Sequence, residues 1–352
     1  MRHVPGFLIL PLVLLLSACN GVVAGENADT SGDGPSATSH PAGCAATNVT
    51  RWASPDATRA VVADADAAYF TTWGTAWPDG VGAILRAPLS GGQSQVLSDS
   101  ETVPFAIAED SDRLYWTDYD AGTIRSMPKQ GGTPVTLASG LDAPMALAVQ
   151  GGVVFFTVNG AVDSVSTSGG AVSEVLHTGG DATAAVADGS ELFIHVGVAA
   201  GQDPSQAALW RVAPDGTDPA LLAQGATFDT TEGTWSLAEH GQWLYWASTH
   251  DDAVYRIDKQ TGARSVVGKG PSPFSVSISG DYLYWSTGRG SGSDADRGIS
   301  RAALSGGAPE QVLAFPRALP YVLAVAPGVI AATTGAGNGQ SGGEVLRIRY
   351  CP

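Results

Sequence analysis

The sequence predicts an all-β chain folded as a β-propeller of four-stranded blades. Seven blades are favoured, six are the alternative, and an N-terminal strand closes the ring in the last blade. Three observations carry this. First, a hydrophobic pair recurs: Tyr69-Phe70, Tyr115-Trp116, Phe155-Phe156, Phe193-Ile194, Tyr245-Trp246, Tyr284-Trp285 and, weakest, Val329-Ile330. Successive gaps are 46, 40, 38, 52, 39 and 45 residues. A period of about 40 with elastic loops suits propeller blades, whereas solenoids keep stricter spacing. Second, Gly-rich turns punctuate the apolar runs, and third, no window sustains a helical period.

Each repeat divides into four strands. The opener is apolar and often follows a proline: Phe105 after Pro104, Met145 after Pro144, Phe274 after Pro273, Tyr321 after Pro320. The second strand carries the aromatic pair, as in "RLYWTD", "VVFFTV", "WLYWAS" and "YLYWST". A third strand contains or adjoins an arginine (Arg86, Arg125, Arg211, Arg256, Arg301, Arg347). A tight turn such as "LSGG", "KQGG" or "QTG" then leads to an outer strand such as "SQVL", "PVTL" or "SEVL". Glycine supplies the positive φ that such hairpins need. The first three strands are apolar almost throughout, as expected for sheets covered on both faces, so the Tyr-Trp pairs read as packing between blades.

The last repeat, from Tyr321 to Tyr350, offers only three strands, and "CAATNVTRW" from Cys44 to Trp52 is an extended segment with no blade of its own. Closing the ring with that segment removes exposed edges. Cys44 and Cys351 bracket the folded region, and in an oxidising compartment a disulfide between them would lock the closing blade. On the chain-entropy model such a bridge contributes at most about 5–6 kcal/mol.

The start of the chain reads differently. Arg2 precedes an apolar run from Phe7 to Leu16, too short to span a bilayer as a mature helix and suited to a secretory signal. Leu16-Ser17-Ala18-Cys19 resembles a bacterial lipobox, which implies that Cys19 carries an acyl lipid (palmitate) and becomes the first mature residue. Residues 1–18 are then the signal peptide, 19–43 a Gly/Ser/Pro-rich linker with a reach of about 25–30 Å, and 44–352 one propeller domain. Asn20 is not the aspartate associated with inner-membrane retention, so the expected location is the cell envelope, on the outer membrane of a Gram-negative bacterium.

The chain holds 18 Lys and Arg against 34 Asp and Glu, net −16; losing Arg2 with the leader makes it 17 against 34, net −17. This excludes nucleic acid and anionic lipid surfaces as natural partners. The membrane is met through the lipid alone.

Leu114-Tyr115-Trp116-Thr117-Asp118 matches the namesake motif of YWTD propellers, as in LDL-receptor-type domains, with "LYWAS" and "LYWST" as degenerate copies. The folded region therefore resembles a bacterial lipoprotein carrying a YWTD-like propeller. That family has six blades and the repeats here number seven, so its ligand habits do not transfer.

Chemistry is sparse. Gly339-Gln340-Ser341-Gly342-Gly343 fits G-x-S-x-G, but a Gly-rich loop leading into a strand is the wrong setting for a nucleophile elbow. There is no H-E-x-x-H and no C-x-x-C. What remains is a rim. Trp73, Trp77 and Asp79, then Asp118 and Asp120, then His250, Asp251 and Asp252, and finally Asp294 and Asp296 follow the second strands of repeats one, two, five and six. A ring projects equivalent loops to one face, where such residues form a candidate binding rim. No cofactor is expected; calcium at Asp118, Asp120, Asp251 and Asp252 is the alternative, since hard cations need several oxygen ligands at one point. The function expected is a binding or scaffolding module for a protein, small ligand or glycan. The rival is a lyase or lactonase-like enzyme working at the central mouth.

Overall fold

The computed structural model describes residues 48–52, 58–73, 81–180, 182–197, 203–225, 237–288, 297–314, 319–335 and 345–349. They form seven four-stranded antiparallel sheets, each laid out in the same order. Blade one is Thr58–Ala63, Ala67–Thr72, Gly82–Pro88 and Gln95–Glu101. Blades two to six span 104–139, 147–177, 182–224, 237–269 and 276–314. Blade seven takes Leu319–Ala326, Val329–Gly335 and Val345–Arg349 from the end of the chain and Asn48–Trp52 from its start. The protein is a seven-bladed β-propeller, closed by its N-terminal strand.

The recurring aromatic pair explains how blades adhere. Tyr69 packs in one cluster with Trp116 of the next blade, Tyr115 with Phe156, Phe155 with Ile194, Phe193 with Trp246, Tyr245 with Trp285, and Tyr284 with Ile330. The first member of each pair thus faces the following blade and the second faces the preceding one, as alternation along a strand requires. Tyr69, Tyr115, Tyr245, Tyr284, Trp116, Trp246 and Trp285 are all buried to within 1%. At the closing seam the sequence substitutes small residues, and Ala331 meets Phe70 while Trp52 of the N-terminal strand fills the remaining space.

Polar groups complete the seams. Glu101, fully buried, accepts hydrogen bonds from Ser98 Oγ at 2.5 Å, Trp116 Nε1 at 2.9 Å and Arg125 Nη1 at 2.6 Å. The third-strand arginines Arg86, Arg211, Arg256 and Arg301 share one register, opposite the first member of the pair, whereas Arg347 lies opposite Ala331, two residues beyond Val329. Arg125 lies one residue out of that register, opposite Trp116, which is what lets it reach Glu101.

Candidate functional site

The seven innermost strands enclose a cavity of about 440 Å³, within the ~300–1,000 Å³ range of small-ligand sites. Aliphatic residues such as Val61, Ile107, Leu147, Leu237, Ile278 and Val322 are among the lining residues, but polar atoms make up slightly more than half of the exposed wall. Among the described residues its charged lining groups are Arg59 and Glu109.

A repeated hydrogen bond sets the geometry of the mouth. The amides of Ala60, Ala106, Ala146, Ser275 and Val322 donate to the hydroxyls of Thr71, Thr117, Thr157, Ser286 and Thr333 at 3.0–3.1 Å. Counting back one residue in each blade makes Arg59, Phe105, Met145, Phe274 and Tyr321 equivalent positions. In blade four the register pairs Ala184 with His195, so Thr183 holds the same position. There His195 stands where five other blades have a hydroxyl and blade five has Ala247. It is fully buried, and its Nδ1 lies 2.7 Å from Thr183 Oγ1. The mouth ring therefore carries a guanidinium in blade one and a hydroxyl backed by imidazole in blade four. Three blades apart in a ring of seven, they are almost opposite one another.

Arg59 is held by aromatic faces. Its guanidinium carbon is 3.9 Å from the Phe105 ring centroid and 5.0 Å from that of Trp73. Phe105 in turn stacks on Tyr119, with centroids 5.5 Å apart. All four residues are half-buried. Cation–π contacts of this kind contribute about 0.5–2 kcal/mol and orient the cation.

The rim residues divide into several groups. Trp73 lies at the mouth, over Arg59. Asp118 is only 2% exposed, and its carboxylate accepts from the amides of Thr102 and Val103 at 2.9 and 2.8 Å. The exposed acid of that loop is Asp120. In blade five His250 is exposed, Asp251 accepts from the Tyr255 hydroxyl at 3.0 Å, and Asp252 accepts from the Ser272 amide at 2.7 Å from a left-handed backbone (φ 51°). Both loops connect second to third strands and so share a face. Trp77, Asp79, Asp294 and Asp296 lie outside the described residues, as do Cys19, Cys44 and Cys351. Among the described residues no group of three or more His, Cys, Asp or Glu is placed to hold a metal ion.

The opposite face carries ion clusters between blades. Lys129, 7% exposed, reaches Asp64 of blade one at 3.0 Å and Glu109 of its own blade at 2.9 Å. Lys259, 5% exposed, makes the same bridge to Asp188 of blade four at 2.8 Å and Glu239 at 2.6 Å. Burial works to raise the Asp64 pKa, but the Ala67 and Asp66 amides and Lys129 outweigh it and hold the carboxyl below its ordinary range. Asp188 is lowered in the same way, burial being overcome by Lys259 and the amides of Ser190 and Glu191. Glu109 goes the other way: burial pushes it up and Lys129 offsets this only in part. Nearby, burial and the Asp110 carboxylate, which accepts from the Tyr115 hydroxyl at 2.6 Å, push the Tyr115 pKa upward.

Sequence reasoning named Trp73 for the binding rim, assigned no role to Arg59, Tyr119, Thr183 and His195, and read Phe105 only as a strand opener. The signal was present. Aligning the openers sets Arg59 and Thr183 against Phe105, Met145 and Phe274, and aligning the second strands sets His195 against Thr71, Thr117 and Thr157.

No protein-family model matches the chain, and no curated protein matches it significantly. Solved structures do. A streptogramin B lyase has a TM-score of 0.64 at 13% identity, covering 86% of this chain and 97% of that one. The nidogen/laminin complex gives 0.52 at 18% identity, over 69% of this chain and 95% of that one. The WD40 propeller domain of Doa1 gives 0.62 at 14% identity, over 85% and 94%. These are likenesses of fold. They join enzymes and binding domains alike, so the propeller is shared and the activity is not.

Proposed function

We propose that the protein is a lipid-anchored propeller of the bacterial cell envelope that works as a binding module at the face where the central cavity opens. The observation that carries this reading is the mouth itself: Arg59 between Phe105 and Trp73, above a cavity of about 440 Å³. A concave space of this size with polar groups converging at its mouth is a usual form of a ligand site. On this reading Cys19 carries the lipid, residues 19–43 are the tether, and Asp120 and the Asp251–Asp252 loop form an outer acidic rim.

Two experiments test it. Cys19→Ser should move the protein from membranes to the soluble envelope fraction; unchanged fractionation, with no lipid on the mature N-terminus by mass spectrometry, removes the anchor. Envelope extract passed over immobilised wild type and over an Arg59→Ala, Asp120→Ala variant should show a bound species, protein or small molecule, retained by the first and lost by the second. Equal retention by both overturns a site on this face.

A second reading, an enzyme at the same mouth, is favoured by the Thr183–His195 contact and by the likeness to two lyase structures. It requires turnover that disappears in Thr183→Val and His195→Gln.

A further inference from the structure

Two lysines are built into the ring in the same way, and the difference between their surroundings is informative. Lys129 and Lys259 follow the third strands of blades two and five, and each joins an acid of the preceding blade to one on its own inner strand. Glu109 and Glu239, the acids of the inner strands, hold equivalent places: the first pairs with Leu114 and the second with Leu244, one residue before Tyr115 and Tyr245. Glu239 accepts a hydrogen bond from Lys259 at 2.6 Å and does not line the central cavity. Glu109 does line it.

Glu109 is also the less completely partnered of the two acids on Lys129. Asp64 accepts from the amides of Asp66 and Ala67 at 2.8 and 2.9 Å as well as from Lys129 at 3.0 Å. Glu109 has Lys129 Nζ 2.9 Å from its Oε2, and among the described residues no other donor reaches either of its oxygens. One ammonium is thus divided between two carboxylates, and Asp110 adds a third negative charge nearby. Burial pushes the Glu109 pKa up, Asp64 and Asp110 add to this, and Lys129 offsets only part, as expected of an anion whose charge is not fully met.

Longer-range charge acts in the same sense. The chain is net −16, so the potential around it draws cations and repels anions. Arg59, the other charged group of the wall, is engaged at the mouth by Phe105, Trp73 and a further partner. Glu109 stands four residues along the inner strand from Phe105, about 13 Å at strand spacing. The wall between the two ends is hydrogen-bonding in character. Each inner strand ends its sheet, and on such an edge alternate residues turn both N–H and C=O away from the partner strand. Seven such edges surround the cavity, together with the hydroxyls of Thr183 and Ser277. A hydroxylated molecule finds partners along that wall, whereas an apolar one would leave them unmet.

We propose that the central cavity takes a small organic cation with a hydroxylated body, its ammonium on Glu109 and its hydroxyls on the inner-strand edges. The ammonium of the ligand then balances the two carboxylates that share Lys129. The proposal rests on the binding-module reading and adds the class of ligand to it.

The test uses three probes that share a six-carbon hydroxylated chain and differ at one end: glucamine (ammonium), sorbitol (hydroxyl) and gluconate (carboxylate). Titration calorimetry on the full mature protein runs at constant ionic strength and about pH 8, where alkylamines keep their proton. Glucamine should bind one to one, sorbitol at least about tenfold more weakly, and gluconate not at all. Glu109→Gln keeps the shape and removes the charge; it should weaken glucamine about tenfold to a hundredfold, to the level of sorbitol. Asp99→Asn, an equal loss of charge on the exposed outer strand of blade one, should leave glucamine binding unchanged. An equal effect of the two variants overturns a local pairing. Circular dichroism checks that each variant is folded. If Glu109→Gln fails to fold, a crystal structure of wild type with glucamine replaces it, and an ammonium placed away from Glu109 overturns the site. Equal binding of glucamine and sorbitol, preference for gluconate, or binding of none of the three overturns the ligand class. If that happens while the Arg59→Ala, Asp120→Ala variant still loses its envelope partner, the binding module survives without the cavity cation. Consumption of glucamine by the protein would overturn the module reading instead.

Discussion

Replacing Lys129 by methionine should open the seam between blades one and two, and its size and pH dependence follow from the structure. Lys129 is 7% exposed and bridges Asp64 at 3.0 Å to Glu109 at 2.9 Å. Methionine keeps most of the stem's packing and removes the charge. Taking one partner from a buried pair costs about 3–5 kcal/mol because the other charge is left behind. Here Asp64 keeps the amides of Asp66 and Ala67 at 2.8 and 2.9 Å, and both acids are partly solvated. The lower end, about 3 kcal/mol near pH 7, is therefore expected. At about 2 °C per kcal/mol for a large domain, the midpoint should fall by about 6 °C.

The pH dependence separates this account from simple loss of packing. Asp64 is held below its ordinary value, so its contribution is present above that value and fades as pH falls through the folded one. Lys129 is raised above its ordinary 10.5, so its contribution is full below that and fades only in strong alkali. Glu109 is raised, so folding favours its protonated form, and the penalty it carries when ionised vanishes as pH falls. Without Lys129 the group that offset burial at Glu109 is gone, and its pKa should rise further. The deficit of the variant should thus be largest near pH 7 and smaller at mildly acid pH, as Glu109 takes up a proton. Glu109→Gln in the same background should recover part of the loss at pH 7. Urea unfolding at the two pH values decides it. A deficit that is the same at both, or below about 1 kcal/mol at pH 7, refutes the reasoning, because a solvent-exposed pair would be worth no more.

Other changes test other parts of the ring. Thr117→Val removes the acceptor for the Ala106 amide and the donor to the Met145 carbonyl, both at 3.0 Å, and should cost about 1–3 kcal/mol in urea unfolding. Gly298→Ala should cost at least that much, about 1–3 kcal/mol, since a methyl group there would run into the Leu313 carbonyl oxygen, which belongs to the adjoining strand and cannot step aside. A non-reducing peptide map should join Cys44 to Cys351, and reduction should lower the unfolding midpoint without abolishing the fold; free thiols at both positions in protein isolated from the envelope would sink the bridge.

The ring was legible because its signals are local and repeated. Aromatic pairs, glycine turns and a last repeat with one strand missing each reflect a backbone requirement that recurs in every blade. The weakest pair, Val329-Ile330, was read two residues early: the register puts Ala331-Ala332 at the equivalent positions, between Leu319–Ala326 and Val345–Arg349, because the side chains there are too small to show as a pair in the sequence. Groups whose meaning depends on a distant partner were harder to read. Asp118, the last letter of the motif, looks like one more loop acid. It is buried because the Thr102 and Val103 amides, just ahead of its own blade's opener, need an acceptor where the chain turns inward. Lys129 and Lys259 occupy the same place in the two most similar stretches, "PKQGG" and "DKQTG", yet a lysine beside a turn reads as solvated. Their partners Asp64 and Asp188 stand 65 and 71 residues earlier, in the preceding blade.

The same logic bears on function. A residue type that recurs in most blades, such as the second-strand hydroxyl of Thr71, Thr117, Thr157, Ser286 and Thr333, is there for the ring, because it satisfies the same opener amide each time. A residue that breaks the recurrence at no gain to the ring needs a cause outside it. Arg59 puts a charge where Phe105, Met145 and Phe274 are apolar, and His195 puts an imidazole where Thr71, Thr117 and Thr157 carry a hydroxyl. Both breaks fall at the mouth of one cavity and almost opposite each other. Two independent departures at unrelated places would mean little. Two that converge on one space, of a size that fits a small molecule, are what a binding site superimposed on a repeating scaffold should look like.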